Sequence, residues 1–390
     1  MKIAHFADTH LGFKRFTKHT RTGINQREAD VGAASRRTVN AIVEAKPDLV
    51  IHAGDIFHSP RPNPNAIIHA VKDFTILSTL GVPILAIGGN HDQPRTAETG
   101  SILPLLADIP NVHMAIWESV ELRLEELELT ALLYPHASLA SGSPIQLEQS
   151  SRFQILIAHG DVAGLYGHQE AGGAQMADEK LTYGWDYVAL GHYHTCREVA
   201  PNAWYSGSTE FVSPNPWGEI LDEIEIGTWQ GCKWWLEVNI GDGRPCASII
   251  PRPIKLSRQH IDLQPIDANG IGPSRLMDRL REHVGGLPDG PSSIEGQVVR
   301  QIVRNVSRET IAGLDHERIR QWKAKALNFN LDLRKPEKRE VVARSAGPSK
   351  TVNQTVIEYL EGLPPIDGIE NSELVDLANR KFEEIAAEEE

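Results

Sequence analysis

The stretch "VPILAIGGNHD", residues 82–92, decides how this chain is read. Its first seven residues read as a buried strand, which is then closed by three polar side chains in a row, Asn90, His91 and Asp92. A turn explains part of this, because Gly and Asn tolerate positive φ and a strand must stop somewhere. The same pattern recurs in "KIAHFADTH" (2–10), "PDLVIHAGDIFH" (47–58), "FQILIAHGD" (153–161) and "WDYVALGHYH" (185–194). Each is a short strand with a polar tip. Between the first three tips lie helical patterns. Residues 28–45 put Val31, Ala34, Val39, Ile42 and Val43 near one face, and residues 63–80 repeat apolar positions at Ile67, Val71, Phe74 and Leu77. Alternating strand and helix implies an α/β fold with a layered sheet. In such sheets ligands gather at the carboxyl ends of the strands, where every polar tip falls.

Composition bounds the setting. A chain of 390 residues is long for one domain, so two or three units are expected. Apolar content of 41% and charged content of 23% are ordinary for a globular protein and give no sign of large-scale disorder. Three cysteines, Cys196, Cys232 and Cys246, form neither a disulfide framework nor a CxxC metal pattern, which fits a reducing compartment. The N-terminus has no charged leader followed by a long apolar region, and no run approaches the roughly 18 apolar residues of a membrane span. A cytoplasmic protein without a membrane partner is therefore expected. The net charge of −13 argues against a nucleic-acid binder that uses its whole surface, while leaving room for a local basic groove.

The strand tips collect Asp8 and His10, then Asp55, then Asn90 and His91, then His159, then His192 and His194. His5 and His52 lie inside strands and read as packed histidines. Five consecutive strand ends carrying carboxylate, amide oxygen and imidazole are a different matter. Those donors suit first-row divalent ions such as Mn²⁺, and the absence of Cys argues against structural zinc or an iron–sulfur cluster. Two cations about 3.5–4 Å apart require a shared anionic ligand. Asp55 is the candidate bridge.

In order and spacing, D-x-H at Asp8 to His10, GD at Gly54 to Asp55, GNHD at Gly89 to Asp92, HG at His159 and GHYH at Gly191 to His194 resemble the full motif set of the calcineurin-like binuclear metallophosphoesterases. Within that superfamily, "ADTHLGF" (7–13), "INQREADV" (24–31), "PDLVIHAGDIFH" and "YSGSTE" (205–210) resemble the SbcD/Mre-type nuclease subunits of the double-strand-break repair complex, closely over the first half and loosely beyond. The resemblance implies a four-layer β-sandwich flanked by helices, with two Mn²⁺ or other divalent ions. Asp8, His10 and His194 would hold one ion, Asn90, His159 and His192 the other, and Asp55 would bridge them. His91 would stabilise or protonate the leaving oxygen, with Asp92 orienting its imidazole. His58 would help place a DNA strand, unless it is simply a loop histidine. The implied chemistry is in-line hydrolysis of a phosphodiester.

The remaining segments divide the chain into a phosphoesterase domain (1–255), a small α+β accessory, DNA-capping domain (256–340), a linker (341–351) and a C-terminal helical tail (352–390). Strands are expected in "IKLSRQHIDLQPID", "GQVVRQIVRNVSRE" and "ALNFNLDL", with helices at 274–284 and 308–322. "GTWQGCKWWLEV" reads as a hairpin with one of Trp234 and Trp235 buried, rather than as a base-stacking platform. "SRRTVN" (35–40) and "RKPEKRE" (334–340) read as solvated basic runs, the second being the better candidate for a phosphate backbone. His168 falls in a Gly-rich loop. In the tail, Val352, Val356 and Leu360, then Leu374, Leu377, Ala378 and Phe382, form apolar stripes that either meet an SbcC-like coiled-coil ATPase or fold back on the accessory domain. Ile68 and Ile76, with "SILPLL" (101–106), offer a homodimer patch. The reading is a DNA nuclease, exo- and endo-acting, with that ATPase as partner. A stand-alone nucleotide or cyclic-nucleotide phosphodiesterase and a DNA-end-binding scaffold are its rivals.

Overall fold

The strand–helix alternation of the N-terminal region builds a sheet whose core strands are parallel. In the computed structural model, β1 (Lys2–Phe6), β2 (Leu49–His52), β3 (Ile84–Ile87) and β4 (Val112–Ala115) are parallel neighbours in that order. A second sheet has β7 (Phe153–His159) at its centre, between β6 (Leu129–Tyr134) and β10 (Tyr187–Gly191). Its outer strands are β5 (Val120–Leu124) on one side and β12 (Ala203–Tyr205) with β11 (Arg197–Ala200) on the other, while β8 (Asp161–Val162) and β9 (Gln175–Met176) form a short separate pair. Two further strands, β13 (Cys232–Ile240) and β14 (Ala247–Lys255), extend the first sheet antiparallel from the edge of β1. The structure describes residues 1–93, 100–147, 151–163, 175–176, 184–241, 247–336, 352–362 and 371–388.

Side chains alternate across each strand, so each sheet feeds two cores. Ile3, Leu49, Ile51, Leu85 and Ile87 meet Leu129, Ala131, Leu133, Ile155 and Ile157 between the sheets. Ala4, Phe6, Val50, Ile84 and Ala86 face the helix layer. That layer is α1 (Gln26–Ala45) and α2 (Pro64–Ser78), started by Asn25 and Asn63, whose side chains accept from first-turn amides. Val31, Val39, Ile42, Phe74 and Leu77 lock these helices onto the sheet, each contributing roughly 1.5–3 kcal/mol of apolar burial. The short α3 (Pro104–Ala107) adds Leu106 to the same core. Beyond the second sheet, Leu139 of α4 (His136–Ala140) covers Leu132, Leu156 and Leu190. The layers are therefore four: helices, sheet, sheet and outer cover.

β13 and β14 form the expected hairpin with Trp234 and Trp235 on opposite faces, but both side chains are buried, at 5% and 3% exposure, where one was expected to be. β13 lies between β1 and β14, so both its faces are covered: Trp234 joins the inter-sheet core and Trp235 the helix-side core.

The accessory region is a three-stranded parallel sheet, β15 (His260–Asp267), β16 (Val298–Arg304) and β17 (Asn328–Leu333). It follows α5 (Pro216–Glu225) and is packed by α6 (Pro273–Gly285), α7 (Arg308–Ala312) and α8 (His316–Lys325) through Leu276, Leu280, Ile319 and Trp322. The single helix expected at 308–322 is thus two. The chain breaks after Ala312 at Gly313, and the Asp315 carboxylate restarts it by accepting from the Arg318 amide. Residues 1–336 form one compact unit. Within it, Arg258 ties the accessory region to α1 by donating to Asp30 at 2.7 Å and to the Gly296 carbonyl at 2.6 Å. Residues 337–390 form a second unit, in which α9 (Val352–Glu361) packs on α10 (Asn371–Glu388). The linker at 341–351, His168 and Cys246 lie outside the described residues. No helix among the described residues is long and apolar enough to cross a membrane.

Candidate metal centre

The polar tips converge because the chain approaches itself too closely for ordinary residues. A Cβ on Gly89 would lie 2.1 Å from Asp55 Oδ1, and one on Gly191 would lie 2.0 Å from the Ala53 carbonyl oxygen. Backbone amides stitch the first two tips together: Asp8 N donates to Gly54 O at 3.0 Å, His10 N to Asp55 O at 3.0 Å, and Leu11 N to Ile56 O at 2.9 Å. Asp8, His10, Asp55 and His192 all adopt positive φ, at 52°, 43°, 55° and 110°. Each such backbone costs of order 1–3 kcal/mol and persists only where its surroundings impose it, which is characteristic of functional sites.

The donor atoms fall into two sets around Asp55. In the first, Asp8, His10 and His194 bring their donors within 4.8 Å of one another, and the Nε2 atoms of His10 and His194 are 3.1 Å apart. In the second, Asn90 Oδ1 lies 3.0 Å from His159 Nε2 and 3.1 Å from His192 Nδ1. Asp55 Oδ2 stands between them, 3.5 Å from His10 Nε2 and 3.4 Å from His159 Nε2. All seven residues named as candidate ligands are therefore brought together.

The donor set fits divalent cations. His159 Nδ1 donates to the Ala53 carbonyl at 2.8 Å, His192 Nε2 faces Asp161 Oδ1 at 3.2 Å, and His194 Nδ1 faces Glu219 Oε1 at 3.4 Å. An acceptor on the outer nitrogen holds the proton there and turns the inner lone pair into the site. Two buried carboxylates, an amide oxygen and these lone pairs then converge without a lysine or arginine among them, a donor set suited to divalent cations. The electrostatics reflect this. Burial pushes Asp8 up to about 6. Burial pushes Asp55 the same way, but the surrounding imidazoles, His159 foremost, outweigh it and hold the carboxyl well below its usual range. His159 is in turn raised to about 9 against its burial, chiefly by Asp55.

His91 stands at the rim of this cluster. Its amide donates to Asp55 Oδ1 at 2.9 Å, and its ring Nδ1 lies 3.0 Å from the His58 carbonyl oxygen. The His58 ring stacks on it at 5.2 Å and 23°, and His58 Nδ1 is 3.3 Å from His10 Nδ1. Burial lowers His58 to about 4, so its ring is neutral.

Asp92 does not fill the expected place behind His91. Its carboxylate accepts from the amides of Phe57 at 2.8 Å, Gly89 at 3.0 Å and Ile56 at 3.1 Å, so it holds the loop after Asp55, and the His58 main chain orients His91 instead. Three buried amides outbid one neighbouring imidazole for a carboxylate. His5 and His52 are packed side chains: His5 Nδ1 lies 2.7 Å from Tyr187 Oη and His52 Nε2 lies 3.1 Å from Thr9 Oγ1. Sequence reasoning missed Asp161 and Glu219. Asp161 had a signal, since it closes the "HGD" tip, whereas Glu219 comes from a distant helix with none.

The calcineurin-like phosphoesterase family matches residues 1–196. Among curated proteins, the DNA double-strand break repair protein Mre11 of Thermoplasma acidophilum is 28% identical over 224 residues, covering 54% of this chain and 57% of that protein. The Saccharolobus solfataricus protein of the same name is 28% identical over 233 residues, covering 58% and 56%. That of Methanococcus maripaludis reaches 37% over 109 residues, 28% of each chain. The chain thus spans little more than half the length of the first two relatives. The match runs from the first strand through every strand tip that contributes a donor, and on that ground the chain belongs to the calcineurin-like phosphoesterase family.

Proposed function

We propose that this protein is a Mn²⁺-dependent DNA nuclease, with exo- and endonuclease activity, that works on DNA ends in double-strand-break repair. The observation that carries the reading is the position of the Asp55 carboxylate between two complete donor sets, with His91 at their rim. Asp8, His10 and His194 would hold one ion, Asn90, His159 and His192 the other, and Asp55 would serve both. Oxygen and imidazole donors without thiolate favour Mn²⁺. When bound, the two cations supply Lewis-acid activation of water and stabilise charge on the transferring phosphorus centre. His91 offers Nε2 to the leaving oxygen, because the His58 carbonyl occupies its other nitrogen. His58 places the DNA strand from the same rim. Asp92 acts on loop position alone.

DNA as substrate rests on the kinship with Mre11 proteins. The accessory region (256–340) caps the DNA, the linker (341–351) spaces the tail, and the tail (352–390) binds an SbcC-like coiled-coil ATPase. Exposed Ile68 and Leu105, at 50% and 45%, form the homodimer patch; Ile76 packs on the core and drops out of it. The protein works in the cytoplasm, at the nucleoid. The test is purified full-length protein with Mn²⁺ on linear duplex DNA, hairpin DNA and a cyclic nucleotide side by side. Cleavage of both DNAs is expected; turnover of the cyclic nucleotide alone returns the small-substrate phosphodiesterase, and binding of DNA ends without cleavage returns the scaffold.

A further inference from the structure

Resting on the binuclear reading, we propose that Glu219, held by the buried Lys233, is a positioning residue for His194 and sets the strength of one of the two metal sites. Lys233 lies on β13 with 1% exposure, and its ammonium has three protons to place. They go to Glu219 Oε2 at 2.7 Å, Glu223 Oε1 at 3.2 Å and the main-chain carbonyl of His194 at 2.9 Å. Glu219 and Glu223 are four residues apart on α5 and so share one face of that helix. The other oxygen of Glu219, Oε1, is turned away from Lys233 and lies 3.4 Å from His194 Nδ1.

Lys233 therefore grips this residue at two points, its backbone directly and its ring through Glu219. Two buried carboxylates against one ammonium leave a net negative charge beside the imidazole. That charge holds the proton on Nδ1, so that Nε2, which faces His10, is both free and a stronger donor. With its three protons placed, Lys233 has none for the second oxygen of either carboxylate, and the Glu219 one is turned to the His194 ring. Glu223 shares the ammonium and the burial, but its second oxygen has no hydrogen-bond partner, which makes it an internal control.

The test is equilibrium dialysis of Mn²⁺ against the full-length protein, with electron paramagnetic resonance to resolve the two ions and the melting temperature of the metal-free protein followed in parallel. Glu219→Gln is expected to weaken one ion about 10–100-fold and leave the other unchanged. Glu223→Gln is expected to change neither affinity by more than about twofold, whatever its effect on melting, since the outer group that matters is the one on the ligand. Wild-type protein that binds fewer than two ions overturns the metal-centre reading and this inference with it. A wild type that binds two, with a Glu219→Gln variant that holds both as tightly or a Glu223→Gln variant that loses as much as Glu219→Gln, overturns this inference alone. Should Glu219→Gln fail to fold, Lys233→Arg, which keeps the charge, is expected to retain both ions, and selective loss of neither or of both together in Lys233→Met counts against it.

Discussion

Asp92 Oδ1 accepts the Phe57 amide at 2.8 Å, and through this bond the strand tip after β3 fixes the loop after β2. The same carboxylate takes the Ile56 and Gly89 amides, and burial together with the nearby Asp55 pushes it up to about 7. Asp92→Ala leaves three buried amides without an acceptor. We expect a loss of about 3 kcal/mol or more in urea unfolding of the metal-free protein, since each buried donor left without a partner costs roughly 1–3 kcal/mol. Unchanged stability with lost cleavage would return Asp92 to a chemical role beside His91.

The bridging assignment of Asp55 separates it from the other ligands. Asp55→Ala is expected to remove both ions from the purified protein, and His194→Ala to remove or weaken one, because the same Asp55 oxygen, Oδ2, lies against His10 Nε2 of one set and His159 Nε2 of the other. Metal analysis reads this directly, and two ions retained by the Asp55 variant would exclude the bridge.

His91 and His58 are expected to separate by substrate. His91→Asn should keep the metal content and cut hydrolysis of any phosphodiester by about 10²–10⁴, the usual range for a lost acid–base group. His58→Ala retains the main-chain carbonyl that orients His91, so hydrolysis of a small activated phosphodiester should survive while duplex digestion falls. Equal losses on both substrates would assign His58 to His10, whose ring nitrogen it approaches at 3.3 Å.

How much of this was legible in the sequence depends on the range of the interaction. Strand tips such as Asp8 to His10 and Gly191 to His194 declare themselves locally, because a core strand rarely ends on several metal-type donors, and five such ends share one edge of the sheets. The partner of Asp92 is not local. Whether a carboxylate faces the adjacent ring or an amide 35 residues earlier is settled by the approach of two loops, which residue types alone do not encode. Lys233 and Glu219 are further removed, since antiparallel addition of β13 beside β1 and the placement of α5 bring them to His194. The burial of both Trp234 and Trp235 follows from that same addition.

His5 provides a pH test at a buried histidine that is not among the candidate ligands. It is wholly buried between the sheets, and burial lowers it from 6.5 to about 3. Between those values the unfolded chain binds a proton that the folded chain does not, so folding stability rises with pH across the window and is lost on acidification. His5→Asn keeps a polar group near Tyr187 Oη and removes the titration. The wild type should lose stability relative to the variant by up to about 1.4 kcal/mol per pH unit below pH 6.5. Parallel stability profiles would mean that His5 is protonated in the folded protein.

Deletion of the tail tests the proposed separation of the phosphoesterase unit from partner recruitment. Every candidate ligand lies between Asp8 and His194, inside the compact unit of residues 1–336, whereas α9 and α10 belong to the unit of residues 337–390. Within that second unit the two helices pack on each other and still leave Tyr359 and Leu377 exposed, at 69% and 48%. A pair of short helices has too little core to cover such side chains itself, which favours a partner. Deleting residues 350–390 should therefore leave Mn²⁺-dependent hydrolysis of a small phosphodiester unchanged and abolish co-purification with a coiled-coil ATPase from the same source. If the shortened protein still retains that ATPase, recruitment lies elsewhere in the chain. If the full-length protein captures none and is a monomer that hydrolyses only the small substrate, the assembly reading falls while the metal centre stands.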